Sequence, residues 1–98
     1  MIAFTPEARQ QVSDLRQYYE ERDRPAAIRG LSDALEAAWK RIVANPAAGL
    51  AAPRPYPALA SRGRAWIKSG RYWIAYSTTD TPVIVGVFYD AADIPNRV

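Results

Sequence analysis

The sequence predicts an α+β fold: an N-terminal strand and an α-helical hairpin packed on one face of a mainly antiparallel sheet, in the order β-α-α-β-β-β. Three observations carry this. Apolar residues recur at helical spacing through the first 45 residues. Alternating aromatic and β-branched runs, separated by turn signals, fill residues 64–89. Between them lies a proline-rich connector without periodicity. A length of 98 residues allows one domain, residues 1–98, with one core.

The opening "MIAF" is a short apolar strand. In "TPEA", Thr5 serves as a helix cap, Pro6 fits the first helical position, and Glu7 suits the positive helix start. Ala8, Val12, Leu15 and the pair Tyr18/Tyr19 then repeat with the helical period, so the first helix spans about 6–22. "ERDRP" breaks it, with Asp23 the expected next cap and Pro25 in the following first turn. Ile28, Leu31, Leu35, Ala38 and Ile42 form one stripe of a long second helix, which Asn45-Pro46 stops. The short link folds the two helices back to back.

"AAGLAAPRPYPALASRG" reads as a connector from helices to sheet, with Pro53, Pro55 and Pro57 inside it. "RAWIKS" alternates, placing Ala65 and Ile67 on one side and Arg64, Trp66 and Lys68 on the other. Ser69-Gly70 is a two-residue turn signal. "RYWIAYS" sets Tyr72, Ile74 and Tyr76 against Arg71, Trp73, Ala75 and Ser77. "TTDTP" turns again, and "VIVGVFY" is apolar throughout, as a central strand covered on both faces would be. Gly86 inside it marks a bulge or a close backbone approach. A single layer of helices covers one sheet face, leaving the other partly open.

Composition removes whole classes of chemistry. With no Cys there is no disulfide, thiolate nucleophile or zinc-thiolate site, and with no His the usual general base and commonest transition-metal ligand are missing. Asp90 and Asp93 alone make a weak cation site, so no metal and no cofactor are expected. No phosphate loop, glycine-rich fingerprint or serine elbow is present. Neither a signal peptide nor an apolar run long enough to span a membrane is visible, which points to a soluble cytoplasmic protein with no membrane partner.

Net charge is +3, but it is unevenly spread. Residues 1–45 balance seven basic against seven acidic side chains, whereas residues 46–79 hold five basic and no acidic ones. Those five are Arg54, Arg62, Arg64, Lys68 and Arg71. Cations interleaved with Trp66 and Trp73 suit single-stranded RNA, or equally an acidic protein partner. Packing of the tryptophans in the core is the competing explanation, and for Trp73 it is the better one.

The order of elements and four motifs together resemble the RelE/ParE superfamily of bacterial type II toxins over nearly the whole chain. "FTPEARQQV" resembles the family's opening strand and first-helix start, and "RIVANPAAG" its end of helix two. "GRYWIAYS" resembles its Arg-Tyr-x-Ile-x-Tyr strand, and "VIVGVFYDAADI" its last strand and exit. The resemblance implies a cognate antitoxin protein as partner, in a toxin–antitoxin hetero-oligomer. It implies one of two targets: DNA gyrase, bound without chemistry in ParE-like members, or the ribosome and its mRNA, cut without metal in RelE-like members.

Where many relatives carry a His followed by basic residues, this chain reads Tyr89, Asp90, Ala91, Ala92, Asp93. An acidic exit beside a scissile phosphate repels RNA, which favours the ParE-like branch. The expected target-binding residues are Trp66, Arg71, Tyr89 and Arg97. In a nuclease, Arg64, Lys68 and Arg71 would grip phosphate and Tyr89 would move the proton. The candidate antitoxin contacts are Tyr18, Tyr19, Leu31, Leu35 and Trp39, most of which a periodic apolar stripe also predicts to be core. A remnant that only binds its antitoxin is the third alternative.

Overall fold

The computed structural model describes residues 2–54, 56–79 and 81–90. Helix α1 spans Pro6–Glu21 and helix α2 spans Pro25–Ala44. Two 3-10 turns, Pro46–Ala48 and Pro57–Leu59, lie in the connector. Strands β1 (Arg64–Ser69), β2 (Tyr72–Ser77) and β3 (Val83–Tyr89) form an antiparallel meander in the order β1-β2-β3. The α+β class and the helix-then-sheet order are those predicted.

Helix α1 starts as its sequence dictates. The Ala8 N–H donates to Thr5 Oγ1 at 3.2 Å, and Pro6 occupies a position whose missing N–H costs nothing. Helix α2 does not start as expected. Arg24, not Asp23, is its N-cap, and no side chain caps it. Asp23 instead takes φ +50° in the reversal between the helices, with its N–H on the Glu20 carbonyl at 3.1 Å. Short polar residues tolerate this left-handed conformation best, so the tight reversal claims the aspartate.

The sheet departs from expectation at its edges. β2, not β3, is the central strand. Among the described residues the N-terminal segment joins the sheet through one parallel bridge, Phe4 to Ile84, built from two 2.9 Å hydrogen bonds. Further along β3, the Val87 N–H is taken by Gln11 Oε1 of α1 at 2.8 Å. On the opposite edge Leu50 and Trp66 exchange both backbone bonds at 2.7 Å, and Arg41 Nη1 donates to the Lys68 carbonyl at 3.0 Å. Each edge is therefore blocked by irregular backbone or a side chain rather than by another strand.

Gly86 sits at a bulge, as anticipated. Ala75 pairs with Gly86 but Tyr76 with Ile84, so Val85 is the extra residue. Strand residues three apart normally face opposite ways; the inserted residue lets Ile84 and Val87 both face the helices. They join Leu31, Leu35, Ala38, Ile42, Ile67, Ile74 and Tyr76 in the main core. A Cβ on Gly86 would come 2.6 Å from the Phe88 ring.

The second face is not open. Trp66, Trp73, Ala75 and Phe88 form their own buried cluster, with Tyr56, Leu59 and Val85 packed against it. The proline-rich connector lies over this face, because three aromatic rings on one sheet surface expose more apolar area than a small domain leaves to water.

Candidate functional site

The turn between β1 and β2 is the fixed point of the site. Gly70 takes φ +57°, open to glycine, and a Cβ there would lie 3.3 Å from the Ala34 methyl of α2. This close approach seats the turn against the helical hairpin. Arg71 leaves the turn exposed to solvent, and its carbonyl accepts from the Asp90 N–H at 2.9 Å. That bond ties the exit of β3 to the start of β2.

Behind Arg71 stand three tyrosines. Tyr19 of α1 and Tyr72 of β2 share a buried hydrogen bond, hydroxyl to hydroxyl, at 2.6 Å. The rings of Tyr72 and Tyr89 meet edge to face at 6.0 Å between centroids. Burial, and then the bond from Tyr19, push the Tyr72 phenol well above its ordinary pKa, so it stays neutral and hydrogen-bonded. The neighbouring Tyr89 side chain, and more weakly the Asp90 charge, hold Arg71 more firmly in its protonated form.

These groups line a groove of about 1290 Å³ between the hairpin and the sheet. Its helical wall carries Gln11, Asp14, Leu15, Tyr18 and Tyr19; Asp23, Arg24 and Gly30 continue it, and Arg71, Tyr72, Val87 and Tyr89 form the sheet wall. Tyr18 is the exposed aromatic, at 48% of its surface, with the Arg22 guanidinium stacked 3.6 Å from its ring centroid. The Arg24 guanidinium stands 6.0 Å from the Tyr19 ring.

The predicted residues separate into those the fold gathers and those it scatters. Arg71, Tyr89, Tyr18 and Tyr19 share the groove. Arg64 does not: it pairs with Ser77 at the far end of the β1–β2 ladder. Four residues of strand place it about 13 Å from Lys68 along β1. Lys68 Nζ is held by Asp90 Oδ2 at 3.2 Å and stands 5.7 Å from the Trp73 ring. Trp66, expected on an open face, is 1% exposed beneath the connector and presents nothing to a partner. Leu31 and Leu35 are core, as the helical stripe implied, and Trp39 packs half-buried against them. Arg97 and Asp93 lie outside the described residues.

Arg24 and Tyr72 belong to the groove but were not singled out from sequence. Tyr72 alternates with core residues, and Arg24 ends a charged run like many others. The contact of Gln11 with Val87 spans 76 residues and left no local signal.

A family model for the ParE toxin of type II toxin-antitoxin system, parDE, matches residues 2–93.

The chain belongs to the ParE toxin family.

Membership of the ParE family implies an antitoxin partner. No curated protein matches the chain. Among the described residues no three His, Cys, Asp or Glu side chains cluster as a metal site would require, and no helix is long and apolar enough to cross a membrane.

Proposed function

We propose that the chain, residues 1–98 acting as one toxin unit, stops growth in the cytoplasm by binding DNA gyrase and carries out no chemistry of its own. Its antitoxin silences it in a hetero-oligomer, and no cofactor takes part. The observation that carries this reading is the dispersal of the residues a nuclease would need. Arg64 stands at the opposite end of the sheet from Arg71 and Tyr89, and Lys68 is neutralised by Asp90. Cleaving a phosphodiester without metal requires several cations converging on one phosphate. The exposed Arg71 and the half-buried Tyr89 remain together in the groove, a pair suited to a protein contact.

The test runs purified toxin in two reactions. One holds gyrase, ATP and relaxed plasmid; the other is a translation mix probed for cut mRNA. The expected result is lost supercoiling or trapped cleaved DNA with intact mRNA, and loss of this inhibition when Arg71 and Arg97 are both replaced by Ala, with the circular dichroism spectrum unchanged. Retained inhibition in that variant removes both residues from the target surface.

One observation favours a second reading, ribosome-dependent cleavage of mRNA. Arg71 and Tyr89 line the same groove, so a cation stands near a phenol that could serve as acid or base beside a phosphate. Cut mRNA that disappears in Tyr89→Phe, with supercoiling untouched, would replace the gyrase reading.

A further inference from the structure

The sequence predicts a basic, aromatic sheet face; the fold contains that face and covers it. Alternation along β1 puts Arg64, Trp66 and Lys68 on one side, with both cations exposed and Trp66 buried between them beneath the connector. The Lys68 ammonium stands 5.7 Å from the ring of Trp73, its neighbour across the ladder on the same face. We infer that residues 56–60 form a strap that lifts off this face as a unit while the helical core stays folded. The chain itself then keeps an aromatic and cationic surface closed, away from the groove between helices and sheet.

Three observations carry this. First, hydrogen bonds do not hold the strap down. Among the described residues every hydrogen bond made by residues 51–60 stays within that span, so these bonds travel with the strap when it lifts. The attachments to the rest of the chain lie on either side: the Leu50–Trp66 bridge before it, and the bonds of Ser61 with Arg64 and Gly63 with Thr78 after it. Second, the face beneath is a core of its own. Trp66, Trp73, Ala75 and Phe88 share no member with the cluster under the helices, and the strap covers them with only two side chains, Tyr56 and Leu59. Uncovering them costs apolar burial at those contacts and leaves the helical core intact. Third, the closed state leaves the Trp66 indole N–H buried without an acceptor. Water reaches that donor only when the strap is up, which offsets part of the cost of opening. On the helical face Tyr76 and Ser69 already have their partners and gain nothing from opening.

Hydrogen exchange, followed by NMR on the purified full chain, reads the two openings separately. The Trp66 indole N–H reports the strap, and the amide of Ile42, fully buried in α2, reports global unfolding. In the wild type, with intrinsic rates allowed for, the indole should exchange faster than the Ile42 amide. Its rate should stay flat in low urea while that of the amide climbs, because lifting the strap exposes little surface. Ile74→Ala, on the helical side of β2, should speed the Ile42 amide at least about 30-fold and the indole less than about twofold. Leu59→Ala should speed the indole about fivefold. An indole that follows the Ile42 amide, in urea or in Ile74→Ala, would show that the face is uncovered only by global unfolding and would overturn the inference. An indole rate unchanged by Leu59→Ala would overturn it too. The urea series on the wild type decides the matter even if Ile74→Ala fails to fold.

Discussion

The two faces of the sheet are buried to similar depth and held by different means. Under the helices, polar groups are tethered. Tyr76 donates to the Pro46 carbonyl at 2.7 Å and accepts from the Gly49 N–H at 3.0 Å. Ser69 Oγ donates to the Ala34 carbonyl at 2.7 Å, and Tyr19 meets Tyr72. Under the connector, the indole N–H of Trp66 is the one buried side-chain polar atom without a partner among the described residues. The bonds Tyr56 to Pro53, Leu59 to Tyr56 and Ala60 to Pro57 run within the connector, which bonds to the rest of the chain near its ends, through Leu50 with Trp66 and Gly63 with Thr78. One face is fixed by direction as well as area; the other is held by area and ring packing, such as Trp66 on Phe88 at 5.8 Å.

Three substitutions test this contrast by urea unfolding. Ile74→Ala, at a fully buried position of the central strand, should cost about 2–5 kcal/mol, because the tethered helix face cannot collapse into the void. Tyr76→Phe should cost about 1–3 kcal/mol, since it strands the Pro46 carbonyl and Gly49 N–H while keeping the ring. Leu59→Ala on the half-buried connector should cost about 1 kcal/mol. Equal costs for Ile74→Ala and Leu59→Ala would break the comparison. A Tyr76→Phe cost near zero would show that the tether adds nothing to the packing.

The contrast also explains how far the sequence could be read. Local signals were reliable: Thr5 and Pro6 start α1, Asn45-Pro46 ends α2, and alternation in β1 and β2 assigned each side chain to its true face. Tyr76 was placed correctly in the core, but its pairing with Gly49 was invisible. Gly49 is needed because a Cβ there would run into the Tyr76 hydroxyl and come within 2.8 Å of the Ala65 methyl. Apart from the cap of α2, expected at Asp23 and found at Arg24, what failed was non-local. Nothing in residues 50–60 announces that they cover Trp66, since an aperiodic proline-rich run is equally compatible with an exposed loop. Of the groove's lining, Arg71, Tyr89, Tyr18 and Tyr19 were singled out from sequence, but as two surfaces. Their union depends on where the Gly70 turn docks on α2, which no spacing in the sequence encodes.

The Phe4–Ile84 bridge and the Gln11–Val87 bond join the first eleven residues to the last strand. Contacts this distant in sequence are slow to form, because most of the chain must be closed into a loop before they can be made. During synthesis, at roughly 5–20 residues per second, α1 waits for β3 before its edge contacts exist. The sheet wall of the groove waits as well, since Val87 and Tyr89 come from that strand. A nascent chain therefore has neither a finished sheet nor a finished groove until β3 has been translated.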